Sequence, residues 1–165
     1  MKSFVRIALA GFSLLGCSTE QPLSPSTGVE VPIVRFRSEG YSYSSFSGAK
    51  KSTRVVVRDA IAWQSVWNTL HQGISVVPAL PIIDFSKESV VFAALGERGS
   101  GGYGVVFKGA SENQAGGLNV VVMSVLPGGG CGYPTVMTQP VDIARIPARY
   151  SLVQFVEEDE EVKCD

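Results

Sequence analysis

The chain reads as an α+β domain: a mainly antiparallel, curved β-sheet with one amphipathic helix packed on it. Three observations carry this expectation. One stretch, residues 60–71, has an apolar face at helical spacing. β-branched runs recur through the rest of the chain, separated by glycine-rich turns. With a single helix in evidence, the crossovers of a doubly wound parallel sheet are missing.

The elements come in order along the chain. Folding begins near Val34. Tyr41, Tyr43 and Ser45 alternate with serines, the pattern of a strand with aromatics on one face, and Phe46 extends that strip. Residues 54–58, RVVVR, read as a strand, and Asp59 suits the N-cap of a helix starting at residue 60. Trp63, Val66, Trp67 and Leu70 then fall at i, i+3, i+4 and i+7, which predicts a helix over 60–71 with Gly73 as its C-cap. Both tryptophans read as core rather than as a ligand platform. A turn-rich connector leads to strands at 89–95, 103–108, 118–126, 141–146 and 152–156. The acidic tail EEDEEVKCD reads as a solvated end held by Cys164, with calcium binding as the weaker reading.

The amino terminus has a different character. Lys2 and Arg6 precede an apolar run from Ile7 to Leu15, suited to a signal peptide and too short to span a bilayer core of about 30 Å. Leu14-Leu15-Gly16-Cys17 resembles the bacterial lipobox, which implies cleavage before Cys17 and a diacylglycerol on its sulfur. Residues 1–16 are thus expected to be a lipoprotein signal, 17–33 a Pro/Ser-rich tether, and 34–165 a single globular domain. The protein would sit on the bacterial cell envelope without crossing the membrane. Ser18, in place of an aspartate, favours the outer membrane of a Gram-negative cell by the same resemblance.

Removing Lys2 and Arg6 leaves 12 bases against 15 acids, so no basic stripe survives and nucleic acid is excluded as a partner. With Cys17 lipidated, Cys131 and Cys164 remain of the three cysteines. Outside the cytoplasm they are expected to form a disulfide closing a loop of about 33 residues. The bridge would fix one end of Pro127-Gly128-Gly129-Gly130, a stretch too glycine-rich to hold one shape unaided.

Catalytic constellations are absent. The only histidine, His71, ends the helix and reads as a surface or helix-end residue without a nucleophile beside it. One histidine and two well-separated cysteines do not make a zinc site. Gly99–Gly104, GSGGYG, lacks the lysine and helix start of a phosphate loop. No cofactor, metal or catalytic residue is therefore expected. Asp84 and Glu88 are the carboxylates left open for chemistry.

The order of motifs carries a resemblance. RVVVRDAIAWQSVW is followed by PIIDFSKESVVFAALGERGSGGYGV and then by VVVMSVLPGGGCGYPTVMTQPVDIARIP. The series resembles the PrcB C-terminal domain family across roughly residues 54–147. Asp59, Trp63 and Trp67 match its first block. Asp84, Phe85, Val90, Val91, Gly96, Gly101, Gly102 and Tyr103 match the second, and Pro127, Cys131, Thr138, Pro140 and Pro147 the third. Ser100 and Val141 depart from it, where threonine and an aromatic are usual. The family takes its name from an accessory subunit of a cell-surface protease complex. The resemblance implies an envelope location and a protein-binding role, and brings no catalytic residues with it.

The expected function is thus a non-enzymatic envelope lipoprotein domain that binds or stabilises another envelope or secreted protein, with a protease as the candidate. The expected docking loops hold Arg98, Gly101, Gly102 and Tyr103, and Pro127, Gly128, Gly129 and Gly130. Gly101 and Gly102 fit a turn needing positive φ, with tyrosine packing over the backbone. Two alternatives stand beside this: a protease inhibitor presenting one of these loops, and a binder of glycans or small molecules through exposed aromatics.

Overall fold

The structure, a computed structural model, describes residues 28–40 and 46–164. Cys17, the expected signal, most of the expected tether and the Tyr41/Tyr43 strip lie outside the described residues. Eight strands are divided between two four-stranded sheets, with a single α-helix among the described residues.

The first sheet sets β1 (Glu30–Val31), β5 (Gly104–Glu112), β6 (Leu118–Leu126) and β8 (Val153–Glu161) side by side in that order. The second sets β2 (Val34–Arg35), β7 (Val141–Pro147), β4 (Glu88–Leu95) and β3 (Ser52–Val57). Pairing begins before Val34: Glu30 and Val31, within the stretch read as tether, lie opposite Ser111 and Ala110. Residues 30–35 then cross from one sheet to the other.

All pairs are antiparallel except β6 with β8. The chain leaves β6, runs through β7 in the opposite sheet and returns, which supplies the long crossover a parallel pair requires.

Side-chain alternation explains the layers. Along β4, Val91, Ala93 and Leu95 face the first sheet, joining Val105, Phe107, Leu118, Val120, Val122, Ala144 and Ile146 in one core. Val90, Phe92 and Ala94 face the other way and meet Val57, Trp63, Trp67, Leu70, Val141 and Ile143. β4 is buried on both sides, which is why it reads as an almost unbroken apolar run.

The helix α1 covers Ala60–Leu70, and the Asp59 carboxylate accepts the Ala62 N–H at 2.8 Å as its N-cap. Its C-terminus differs from expectation. His71 is the C-cap, and Gly73, with φ 82°, shapes the turn beyond it. Nor is His71 a surface residue. It is buried, its Nδ1 donates to the Trp67 carbonyl at 2.9 Å, and its ring lies tilted against the Trp67 ring with centroids 4.3 Å apart.

Both tryptophans are core, each 1% exposed. Their indole N–H groups donate to the Pro81 and Pro78 carbonyls at 2.9 and 3.0 Å, fastening the connector along the helix.

The acidic tail also departs from expectation. Residues 153–161 are strand throughout, in register with β6 from Leu118–Val153 to Leu126–Glu161. Val153 and Phe155 pack on the core, while Glu157 and Glu158 pair with Arg54 and Lys108. The backbone ladder satisfies an edge strand even where its side chains stay in water.

Candidate docking surface

The turn after β4 and the loop after β6, far apart in sequence, interlock at one end of the domain. Arg98 and Thr138 exchange backbone hydrogen bonds of 2.8 Å each. The Thr138 hydroxyl donates to the Ser100 carbonyl at 3.0 Å, and the Gly101 N–H to the Pro134 carbonyl at 2.9 Å.

Glycine is required here for two different reasons. Gly102 has φ 86°, and a Cβ on it would lie 2.5 Å from the Tyr133 ring. Gly101 does not take positive φ; it is small because Pro134 lies 3.0 Å from where its Cβ would be. The ring over this backbone is that of Tyr133, whereas Tyr103 packs partly into the core. The Arg98 guanidinium lies 5.6 Å from the centre of the Tyr103 ring, within cation–π range. Beside Tyr103 a cavity of about 230 Å³ is bordered by Arg35, Arg37 and Pro140.

The second loop is held by the C-terminus. Cys131 and Cys164 form the expected disulfide, with Cα atoms 5.4 Å apart. The Val162 N–H donates to the Leu126 carbonyl at 3.0 Å, and the Glu161 carboxylate accepts the Gly129 N–H at 3.4 Å. Gly128 is buried so tightly that a Cβ on it would sit 1.7 Å from the Val162 carbonyl oxygen. Gly129 and Gly130 are exposed at the tip, and Gly130 takes φ 84°. Pro127 is half-buried where the loop leaves β6.

Two residues of this surface were missed in the sequence. Val136 is 37% and Met137 49% exposed, between the Pro134 and Thr138 attachments. The signal was a pair of apolar residues outside any strand period, in a stretch rich in turn formers.

The carboxylates left open for chemistry have structural partners. Asp84 accepts from the Ser86 N–H at 3.1 Å and the Ser86 hydroxyl at 2.5 Å, and pairs with Lys87 at 2.9 Å. The Ser86 hydroxyl, then Lys87, holds the Asp84 carboxyl at about 2. Glu88 pairs with Arg145 at 3.2 Å. Elsewhere, the Tyr150 hydroxyl donates to Glu112. That bond, with Arg149 beside it, lowers the Glu112 carboxyl, while burial first and Glu112 second raise the Tyr150 hydroxyl.

Among the described residues no cluster of His, Cys, Asp or Glu could hold a metal ion, and no helix is long and apolar enough to cross a membrane. Of the aromatic strip, Phe46 is 56% exposed, and Tyr41 and Tyr43 lie outside the described residues.

The fold and this surface define a class: a helix-backed two-sheet domain presenting interlocked, disulfide-stapled loops at one end. Residues 89–147 match the family model described as PrcB C-terminal, which bears out the resemblance over that stretch. The matched segment runs from β4 through β7 and contains both interlocked loops. No curated protein and no solved structure matches the chain.

Proposed function

We propose that this chain is a non-enzymatic docking domain of the bacterial envelope, anchored through a lipid on Cys17, that binds or stabilises a partner protein as an accessory to a protease complex. One observation carries the docking part. The segments 98–103 and 131–138 are locked to each other and to the C-terminal strand, and together they expose Val136 and Met137. A surface already ordered loses little conformational entropy when it binds. Apolar anchors beside a polar rim are the usual form of a binding patch. The PrcB C-terminal match supports a protease-complex association.

The test is a site-specific photo-crosslinker placed at Met137 in cells. It should trap one envelope or secreted protein, and Met137→Asp should abolish binding while circular dichroism stays unchanged. Crosslinks equal in number and identity to those from exposed Ile61, on the helix, would refute the docking surface. If the trapped partner is a protease that loses activity on binding, the domain is an inhibitor rather than an accessory subunit. Anchoring is tested apart from docking: Cys17→Ala should release the protein from the membrane fraction, and retention after a high-salt wash would refute the lipid anchor.

A further inference from the structure

We propose that the cavity between α1 and β3 binds a small amphiphilic anion, an apolar body ending in one negatively charged head. The cavity measures about 340 Å³, a volume suited to a small ligand. Val55, Val66 and Phe92 line it together with Lys50, Lys51 and Ser65. Among the described residues neither lysine is ion-paired.

The segment that carries the lysines is fixed on several sides. The Gly48 N–H donates to the Thr69 carbonyl at 2.9 Å, and so satisfies a carbonyl of the last helical turn. The Ser47 hydroxyl donates to the Gln139 carbonyl at 2.9 Å, and the Lys50 carbonyl accepts the Glu97 N–H at 3.1 Å. Beneath it Gly96 turns with φ 79°, and a Cβ there would lie 2.7 Å from the Ser52 nitrogen. Both ammonium groups therefore extend from a backbone that does not have to be ordered on binding.

The lining chemistry selects the ligand. The hydroxyls of Thr53 and Thr69 are spent on the Lys51 and Ser65 carbonyls, each at 3.0 Å, and donate nothing to the cavity. Apolar contact, the Ser65 hydroxyl and the lysine charges remain. Lysines act as point charges that attract an anionic head without dictating its shape, so a single negatively charged group on an apolar body is the matching ligand, and a carboxylate serves as the probe. The site uses none of the residues of the docking surface, so either reading can fail alone.

The test is titration of the full mature chain, ¹⁵N-labelled, with decanoate, decanol and acetate, followed by amide NMR shifts. Decanoate should saturate with its largest shifts at Lys50, Lys51, Val66 and Thr69. Decanol and acetate should each bind about tenfold more weakly or less. The double variant Lys50→Ala/Lys51→Ala should bring decanoate down to the affinity of decanol, and Val66→Trp should block both. Equal binding of decanoate and decanol to the parent, saturating shifts elsewhere, or no saturation would overturn the proposal.

Discussion

Arg54 and Glu157 form a two-pronged ion pair between the sheets, with Nε 2.9 Å from Oε1 and Nη2 2.8 Å from Oε2. Arg54 lies on β3, the edge of one sheet, and Glu157 on β8, the edge of the other. The third nitrogen of the same guanidinium donates to the Ala94 carbonyl at 2.7 Å. One planar fork thus ties the two edges together along the side where the sandwich would otherwise open.

A double-mutant cycle measures this tie. Arg54→Met should destabilise by about 1–3 kcal/mol, because the Ala94 carbonyl loses a charged donor. Glu157→Gln should cost less, since that carboxylate is half exposed. The coupling read by urea unfolding should reach about 1 kcal/mol. A coupling of zero would mean that the sheets hold together without the pair.

Asp142 should be far less tolerant. Its carboxylate is fully buried, 2.9 Å from Arg35 Nε and 2.9 Å from the Phe107 N–H. Asp142→Ala leaves the buried Phe107 N–H without this acceptor and removes the carboxylate from Arg35, which is one-third exposed, so the loss should be about 2–4 kcal/mol. A loss below about 1 kcal/mol in urea unfolding would show that water replaces the carboxylate without penalty.

Adjacent glycines should behave differently. Gly128→Ala places a methyl group on the Val162 carbonyl, whereas Gly129→Ala meets nothing within 4 Å. The first should displace the C-terminal strand end, lower the melting temperature and expose Cys131 and Cys164 to reductant. The second should do neither. Equal rates of reduction in both variants would contradict the close approach of the loop to the tail.

The acid limb of stability should carry a signature of Asp84. Its carboxyl is lowered from 3.8 to about 2 by the Ser86 hydroxyl first and Lys87 next. Because the folded value is depressed, the contribution is complete above the unfolded value and is lost as pH falls through about 2. Between pH 4 and pH 2 the parent should therefore lose more stability than Asp84→Asn. Parallel profiles for the two proteins in chemical denaturation would remove Asp84 from the account.

The sequence by itself determined the local units. The helix over 60–70 is legible because an apolar face at helical spacing and an Asp59 cap act within a few residues of one another. The strands from 89 to 146 are legible from β-branched runs between glycine turns, and the disulfide from cysteine counting. The motif series further points to the family that residues 89–147 match. What only the tertiary structure decided depends on which distant segments meet. The acidic run reads as solvated because nothing local favours a strand there; its partner, β6, begins 35 positions before it in the paired register Leu118↔Val153. His71 looks exposed at a helix end, yet Trp67 and the returning chain bury it. Asp142 looks like any polar residue of an alternating strand until Arg35 and the Phe107 amide meet it in the core. The candidate docking surface is assembled only because Arg98–Gly101 and Pro134–Thr138 exchange hydrogen bonds across the fold, with Val136 and Met137 exposed between them. Periodicity and capping are short-range forces written in adjacent residues, whereas burial and charge pairing are settled by the whole chain at once.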